Sequence, residues 1–554
     1  MSISGGEARK LTNSPTGVQQ FSWKPDGTAI AFVQEDELVG KKELEKGYDA
    51  FEVKRHNMFS KGNPVSSHIW LILSDGGEAK RLTSGSWSVS VEGSPLSWSP
   101  DGKQLAFQAN ESPHFGELVF TVKILDITDG NLKRITAAQI KNGIMHRERK
   151  PAFSPDGKQI AYLFHQENVA YGSDVYIASA SGGTGDNLTG KLDRMFFRYE
   201  WSPDSKAVLI AADDYNKVSL WLQPLQGAVK KIKLNNLCIS GRYWYHFNIG
   251  RNNSIAFVAS SPQTPEELYY LSGADATPVQ LTKFNEHTNE IRFGKQETFN
   301  WKSDGFNPNG ILTYPPDFDP AKKYPLVLEI HGGPRSASNE WFLASVQLKA
   351  ASGYIVFQPN FRGSDNMGFK FSEAINGDMC VGPGNDIMRG IAELKKRSYI
   401  DTAKIAVTGW SYGGVMTTWL TGNYQGWKCA VAGAATVNFL DEYAQSEIGS
   451  TDKFELGGGK SPYSVTDKST KQNWLKQSPV TYAENVRTPT LLLSNAGDVI
   501  VPVSQPYNYF RILQDIGTES KFIVFPIGGH IPTDPIRNKE MHRFILEWLD
   551  KYLR

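Results

Sequence analysis

The chain has 554 residues, 40% of them hydrophobic, and its 59 Lys and Arg residues balance its 58 Asp and Glu residues to a formal net charge of +1. A chain of this length exceeds the size of a single hydrophobic core, which predicts two domains. The charge balance predicts no nucleic acid and no anionic membrane as partner, and no apolar run reaches the ~20 residues of a membrane-spanning helix.

The N-terminal segment and the cysteines indicate the cellular compartment of the protein. Residues Met1 to Glu7 carry neither the charged nor the apolar stretch of a secretion signal, which taken alone predicts a cytoplasmic protein. Cys238, Cys380 and Cys429 are far apart and match no metal-ligand spacing. We therefore expect reduced core thiols, without disulfides or a cysteine-bound metal.

A repeated turn motif marks residues 1–285. Each copy is an aromatic residue, any residue, and Pro-Asp-Gly before a short apolar strand, and copies or close variants begin at Trp23, Trp98, Phe153, Trp201 and Gly250. Pro, Asp and Gly favour successive positions of a tight turn, so each copy predicts a hairpin. A second strand and a Leu-Thr or Ile-Thr pair close each unit. Such units, recurring every 40 to 70 residues or so, are typical of propeller blades, and we predict an all-β propeller over residues 1–285.

The first repeat begins abruptly. Residues 4–12 nearly duplicate residues 74–83, but in the later copy the strand 69–72 precedes this stretch. We therefore expect a propeller that is incomplete at its N-terminus. Any export signal would then also lie upstream, which leaves a periplasmic or secreted location open beside the cytoplasmic one. The alternative is ring closure, with residues 1–12 supplying the outer strand of the last blade.

From residue 286 to residue 554 the pattern changes to strands that alternate with helices. Apolar runs of buried-strand length lie at residues 325–330, 354–357, 405–408, 430–433, 490–493 and 522–525. A helical segment such as 386–394 separates several of them. This alternation predicts an α/β domain with a mainly parallel sheet that helices cover on both faces.

A candidate nucleophile follows the strand 405–408. Gly409-Trp-Ser411-Tyr-Gly413 stands between this strand and a predicted helix, which is the context of a nucleophile elbow. A serine on so tight a turn crowds its neighbours, which explains glycine two residues to either side. The hydroxyl would lie near a helix N-terminus, where developing negative charge is favoured.

A serine hydroxyl needs a base that accepts its proton. In the chain order Ser, Asp, His, the candidates are Asp498, just beyond the strand 490–493, and His530, beyond the strand 522–525. Both follow the carboxyl ends of strands, where the sites of such sheets gather. His542 lies inside a terminal amphipathic helix and is interpreted as a surface residue.

Acyl transfer also needs N–H donors that face the oxyanion. His331-Gly-Gly-Pro334 directly follows the strand 325–330 and is typical of a loop that supplies one such donor. We predict the backbone N–H groups of Gly333 and Tyr412 as the pair. His331 itself is expected to shape the loop.

With these residues in place, the chain resembles the prolyl oligopeptidase family of serine peptidases, in particular its bacterial dipeptidyl peptidase and acylaminoacyl peptidase branch. The motifs are His331-Gly-Gly-Pro334, Asn360-Phe-Arg-Gly-Ser364, Gly409-Trp-Ser-Tyr-Gly-Gly414, Asp498-x-x-Val-Pro502 and Gly529-His530. The resemblance implies an α/β-hydrolase domain at residues 286–554 with Ser411, Asp498 and His530 as catalytic triad. It also implies a propeller that caps the site and admits short or unfolded peptides, and neither a metal nor an organic cofactor.

Two positions depart from the family pattern. The family often has His-Gly four residues before its aspartate, where this chain has Ser494-Asn495. Many members carry an arginine two residues after that aspartate, which binds a substrate carbonyl, and here the residue is Ile500. Recognition of the peptide by that route is therefore absent.

The leading hypothesis is a peptidase that acts near the N-terminus of short peptides through an acyl-enzyme on Ser411. A carboxylesterase with the same triad is the alternative, since an ester needs fewer backbone contacts, and a non-catalytic propeller protein is the third reading. Recognition of a free α-amino group requires a carboxylate, for which Glu45 and Glu52 of the charged insertion 35–67 are candidates. That insertion is otherwise expected to be solvated. Formation of a homo-oligomer is an open alternative to a monomer.

Overall fold

The structure is a computed structural model that describes residues 5, 7–38, 46–47, 49–53, 65–90, 94–110, 119–136, 146–164, 173–241, 244–464 and 466–554. By its internal contacts the chain divides into two compact units. Unit 1 comprises Met1–Leu192, Phe196–Ile210 and Leu222–Val229, and unit 2 comprises Asp193–Met195, Ala211–Trp221 and Lys230–Arg554. The domain boundary between residues 285 and 286 stays a prediction.

Five blade-like sheets occupy the described part of the chain up to residue 280, which confirms the predicted propeller. The first contains β1 (Gln20–Trp23), β2 (Ala29–Glu35), β3 (Ser67–Leu73) and β4 (Lys80–Arg81). The second contains β5 (Ser88–Val89), β6 (Ser97–Trp98), β7 (Gln104–Asn110), β8 (Val119–Asp126), β9 (Leu132–Arg134) and β10 (His146–Arg147). The third contains β11 (Arg149–Phe153), β12 (Gln159–Phe164), β13 (Asp174–Ser179) and β14 (Asp186–Asn187).

The fourth sheet contains β15 (Tyr199–Trp201), β16 (Ala207–Asp214), β17 (Lys217–Pro224) and β18 (Lys230–Lys231). The fifth contains β19 (Cys238–Ile239), β20 (Phe247–Ile249), β21 (Ile255–Ser261), β22 (Thr264–Leu271) and β23 (Val279–Gln280). In all five sheets the long central strands follow one another in the sequence and are adjacent in the sheet.

The aspartate of the repeated motif organises its turn. Asp101 accepts hydrogen bonds from the Ser99 hydroxyl at 2.6 Å and from the Lys103 N–H at 3.1 Å. Asp156 and Asp204 make the same pair of bonds in the next two copies. These bonds lower the pKa of all three carboxyls. The motif is therefore a hydrogen-bonded turn that connects the two strands of each hairpin.

The threonine that closes a unit has an equally regular role. The hydroxyl oxygens of Thr83, Thr189 and Thr282 accept the N–H groups of Ile69, Val175 and Leu268, at 2.9, 3.0 and 2.9 Å. Each bond joins the closing segment to the second of the two long central strands of its own blade, which are β3, β13 and β22.

Part of the N-terminal segment and of the insertion lies within the described residues. Arg9 donates a hydrogen bond to the Ser74 carbonyl, and Leu11 packs against the cluster of Ile30 and its neighbours in the first sheet. Glu52 is described and exposed. Residues 1–4, residues 39–45 with the candidate Glu45, and residues 54–64 lie outside the described residues.

The C-terminal sheet has eight strands in the order β24–β25–β27–β26–β28–β29–β30–β31. They are β24 (Gln296–Asn300), β25 (Asn309–Thr313), β26 (Tyr324–Ile330), β27 (Ile355–Pro359), β28 (Ile400–Trp410), β29 (Cys429–Gly433), β30 (Thr490–Gly497) and β31 (Ser520–Gly528). The six predicted strands are all present and parallel. Sequence reasoning missed β24 and β25, which add to one edge in antiparallel orientation.

Helices cover both faces of this sheet, as predicted. They are α1 (Ala344–Ala351), α2 (Phe369–Glu373), α3 (Val381–Leu394), α4 (Tyr412–Asn423), α5 (Phe439–Gln445), α6 (Gly449–Gly457), α7 (Lys468–Gln477), α8 (Ser504–Asp515) and α9 (Pro535–Leu553). Alternate residues of β26 point to opposite cores: Leu326 and Leu328 to the core of α3 and α4, and Val327 to the core of α9. Cys238, Cys380 and Cys429 are buried and form no disulfide.

Candidate active site

Ser411 stands on the turn between β28 and α4, in a backbone conformation that few non-glycine residues adopt. Its φ is 59° and its ψ is −125°, a strained combination that is typical of functional positions. Its N–H donates to the Gly433 carbonyl at 2.9 Å, which ties the turn to the neighbouring strand β29. The serine is half-buried and is the N-cap residue of α4.

The glycines on either side of Ser411 are required by close contacts. A Cβ atom on Gly409 would lie 2.3 Å from the Gly413 carbonyl oxygen, and one on Gly413 would lie 2.1 Å from the Ile330 carbonyl oxygen. Gly332 lies against the serine, since a Cβ atom there would be 3.3 Å from the Ser411 Cβ and 3.9 Å from its Oγ. The structure thus places the predicted elbow and the His331–Pro334 loop side by side.

Asp498 and His530 come together at the carboxyl ends of β30 and β31. The Nδ1 atom of His530 lies 2.7 Å from Oδ2 of Asp498. The other carboxylate oxygen of Asp498 accepts the N–H groups of Ile500 at 2.9 Å and Val501 at 3.0 Å. Because an ionised carboxylate only accepts hydrogen bonds, this arrangement assigns the proton to Nδ1 and leaves the Nε2 lone pair of His530 available.

The Nε2 atom of His530 is buried and has no hydrogen-bond partner among the described residues. No hydrogen bond joins it to Ser411 in this structure. Instead, Trp410 links the turn of Ser411 directly to the loop of His530. Its Nε1–H donates to the His530 carbonyl oxygen at 3.0 Å. Hydrogen bonds of catalytic groups often form only when substrate is bound.

The predicted oxyanion loop is held by its histidine. His331 contacts the Gly332 carbonyl through Nδ1 at 2.9 Å and the Ser364 hydroxyl through Nε2 at 3.0 Å. Its ring stacks on Phe361 with 4.5 Å between centroids. Gly333 has φ +129°, which only glycine adopts easily. This geometry agrees with a loop-shaping role for His331, and the donor role of Gly333 stays a prediction.

A buried ion pair connects the same loop to α6. Arg335, 2% exposed, pairs with Glu455 and also donates to the Asn376 side-chain oxygen at 2.7 Å. The segment between α5 and α6 also contacts the Asp498 loop, because the Ser446 hydroxyl donates to the Ile500 carbonyl at 2.5 Å. Helix α6 and the segment that precedes it therefore contact both loops of the candidate site, a connection that no sequence motif indicated.

Two further properties concern cofactors and membranes. In the described ranges, no group of three or more His, Cys, Asp or Glu side chains is arranged to hold a metal ion. No helix that the structure describes is long and apolar enough to cross a membrane.

Comparison with known proteins matches one family model in each half of the chain. Residues 340–554 match the model of the prolyl oligopeptidase family, and residues 54–171 match that of the dipeptidyl peptidase IV N-terminal region. The chain is 30% identical to the uncharacterized peptidase YuxL of Bacillus subtilis, over 100% of this chain and 86% of that protein. The chain belongs to the prolyl oligopeptidase family.

Other relatives match the chain over most of its length. Dipeptidyl-peptidase 5 of Porphyromonas gingivalis is 28% identical over 83% of this chain and 67% of its own length. A probable dipeptidyl-peptidase 5 of Aspergillus clavatus is 27% identical, and the match spans only 64% of that relative's length. The solved structure of the Pyrococcus horikoshii acylaminoacyl peptidase shares the fold with a TM-score of 0.80, at 20% identity over 99% of this chain and 83% of that one.

Membership of the prolyl oligopeptidase family makes this chain a serine peptidase with a propeller and an α/β-hydrolase domain. The family, the enzyme class and the fold class predicted from the sequence are thereby confirmed.

Proposed function

We propose that this peptidase hydrolyses short peptides near their N-terminus, with Ser411 as nucleophile, His530 as general base and Asp498 as the residue that orients His530. The observation that carries the assignment is the 2.7 Å contact between Nδ1 of His530 and Asp498, which leaves the buried Nε2 lone pair available. The strained turn at Ser411 adds the serine hydroxyl that this base would serve.

The proposed reaction has two steps. Nε2 of His530 accepts the hydroxyl proton as Ser411 Oγ attacks the scissile carbonyl carbon. The N–H groups of Gly333 and Tyr412 stabilise the oxyanion, and the proton passes to the leaving amine as the C–N bond breaks. In the second step, His530 takes a proton from a water molecule whose oxygen attacks the acyl carbon. The bond between that carbon and Ser411 Oγ breaks, the proton passes from His530 to Oγ, and the acid product leaves.

The substrate class rests on the relatives. Several are named dipeptidyl-peptidase 5, and the solved structures with the same fold include acylaminoacyl peptidases. In this chain Ile500 offers no side-chain donor to a substrate carbonyl, so peptide recognition requires other groups, for which an exposed carboxylate such as Glu52 is a candidate. The comparisons do not favour the carboxylesterase alternative.

The test is a substrate panel on the wild type and on Ser411→Ala, with dipeptidyl, N-acyl-aminoacyl and free aminoacyl anilides beside a short-chain nitrophenyl ester. We expect cleavage of at least one anilide and loss of all turnover in Ser411→Ala. Ser469→Ala, at an exposed position of α7, is the matched control and should retain full activity. Turnover that survives in Ser411→Ala would refute the assignment, and cleavage of the ester alone would refute the peptide substrate.

A further inference from the structure

The histidine loop, residues 528–531, has a backbone that little else restrains. It begins with Gly528 and Gly529, and Gly529 adopts φ +81° with no atom within 4 Å of a Cβ placed on it. Two consecutive glycines without packing around the second leave considerable conformational freedom to the segment that carries His530. The position of the His530 ring therefore depends on hydrogen bonds to this backbone as well as on the ring's contact with Asp498.

Two side chains outside the proposed triad provide such bonds, on consecutive residues. The Nδ2 amide of Asn495 donates to the Gly529 carbonyl at 2.9 Å, and the Nε1–H of Trp410 donates to the His530 carbonyl at 3.0 Å. Asn495 is fully buried at the end of β30. It occupies one of the two positions at which this chain departs from the His-Gly pattern of its family, and a glycine there could not form this bond.

Both donors are themselves fixed by their strands. Asn495 pairs in register with Phe525 of β31, and a register shift follows between Asn495 and Gly497. The Trp410 ring lies over β29 so closely that a Cβ atom on Gly433 would be 2.0 Å from its Cε3. The two side chains therefore connect the loop to strands β30 and β28, and β28 leads directly into Ser411.

We propose that Asn495 and Trp410 are positioning residues that hold the histidine loop, and with it the His530 ring, in register with Ser411. The inference rests on the proposed function of His530. A base that is displaced by about 1 Å loses much of its rate advantage although substrate still binds. Loss of either donor should thus lower kcat and leave KM nearly unchanged.

The experiment compares Trp410→Phe, which removes the N–H and keeps a ring, and Asn495→Ala with two matched controls. Trp427→Phe removes an indole N–H that has no hydrogen-bond partner among the described residues. Asn473→Ala removes an amide that donates to a different glycine carbonyl, that of Gly377, also at 2.9 Å. Since one neutral hydrogen bond is at stake, we expect kcat to fall about fivefold to tenfold in each loop variant, with KM within about twofold of wild type.

A second measurement does not depend on turnover. The far-downfield proton resonance of the His530 Nδ1–H···Asp498 bond should broaden or shift in Trp410→Phe and Asn495→Ala, and stay unchanged in Trp427→Phe and Asn473→Ala. If Asn495→Ala does not fold, Trp410→Phe alone decides. Loop variants with the kcat and the resonance of wild type would overturn the positioning role.

The two proposals fail in distinguishable ways. An organophosphorus reagent that attacks activated serines should modify Ser411 in the wild type, and failure of that reaction would refute the proposed function. Equal modification rates in wild type and loop variants would refute only the positioning role of Asn495 and Trp410.

Discussion

At the scale of single residues, the candidate nucleophile depends on glycines that leave no room for a side chain. Ser411 carries a positive φ, and the turn closes because Gly409 and Gly413 approach each other and the carbonyl of Ile330 directly. A methyl group at either position would displace backbone and not merely a flexible side chain. The strain at Ser411 is therefore maintained by the packing of its neighbours.

Gly413→Ala should destabilise the protein by about 3 kcal/mol, because its Cβ would lie 2.1 Å from the Ile330 carbonyl oxygen. Thermal unfolding measures the effect, and the rate of Ser411 modification should fall with it. Gly273→Ala is the control, since a Cβ atom there meets nothing within 4 Å. Equal melting temperatures for the two variants would contradict the close approach.

At the scale of elements, the pair α5–α6 brings buried carboxyls next to the candidate site. Burial, together with the negative charges of Glu455 and Asp498, raises the pKa of Glu442 from 4.5 to about 8, against the opposing hydrogen bond from Thr436. Burial, together with the negative charges of Glu442 and Glu455, also raises the pKa of Asp452. The folded protein therefore holds protons in this cluster at pH values where the unfolded chain releases them.

The sign of the resulting pH dependence follows from linkage. Since the folded-state pKa of Glu442 exceeds its unfolded value, its contribution to stability is complete below about pH 4.5 and is lost as the pH rises to about 8. Glu442→Gln resembles the protonated carboxyl and keeps an acceptor for the Thr436 hydroxyl, which lies 2.7 Å from Glu442. The melting temperature of this variant should therefore rise relative to wild type between pH 5 and pH 9.

Glu540→Gln, at an exposed position of α9, is the control for this prediction and should follow the wild-type pH curve. Parallel curves for Glu442→Gln and wild type would show that Glu442 is ionised in the folded protein across this range.

At the scale of the whole molecule, unit 2 combines strands that are far apart in the chain. The turn between β16 and β17 contacts segments of the α/β region: Tyr215 donates its N–H to the Asn366 carbonyl at 2.8 Å, and Asn309 donates to the Tyr215 carbonyl at 2.9 Å. The Asn366 side-chain amide also donates to Tyr215 and to Asn309. We therefore expect blade strand and hydrolase sheet to unfold together within this unit.

Asn366→Asp tests this coupling, because it places carboxylate oxygens against two acceptor oxygens in a buried position. The loss should be about 2 kcal/mol, seen as a lower melting temperature with coincident transitions for probes next to the β16–β17 turn and in the eight-stranded sheet. Asn252→Asp, whose exposed side chain only accepts from Ser254, is the control and should be neutral. Separate transitions for the two probes would contradict a single cooperative unit.

Much of the fold could be predicted because its signals are local. The Pro-Asp-Gly turns, the Leu-Thr closures and the six apolar strands each depend on a few adjacent residues. The structure contains the six strands, the hydrogen-bonded turns of three copies and the closing bonds of three threonines. The antiparallel strands β24 and β25 were missed because β24 pairs with β25, and β25 pairs with β27, which follows β26 in the chain. No local sequence pattern indicated that pairing. The candidates Ser411, Asp498 and His530 were predicted from the elbow motif, the chain order Ser, Asp, His and the position of each residue after a strand.

The sequence by itself determined the family, the two-part architecture and the candidate nucleophile, base and orienting aspartate, since each is indicated by residue types within a short motif. Tertiary structure alone decided that Asn495 and Trp410 hold consecutive carbonyls of the histidine loop, and that Arg335 pairs with Glu455. It also decided that Glu442 holds its proton. The physical reason is that hydrogen-bond partners and desolvation depend on which residues the fold brings together. Residues that are 34 or 120 positions apart in the chain share no local sequence pattern that encodes their contact.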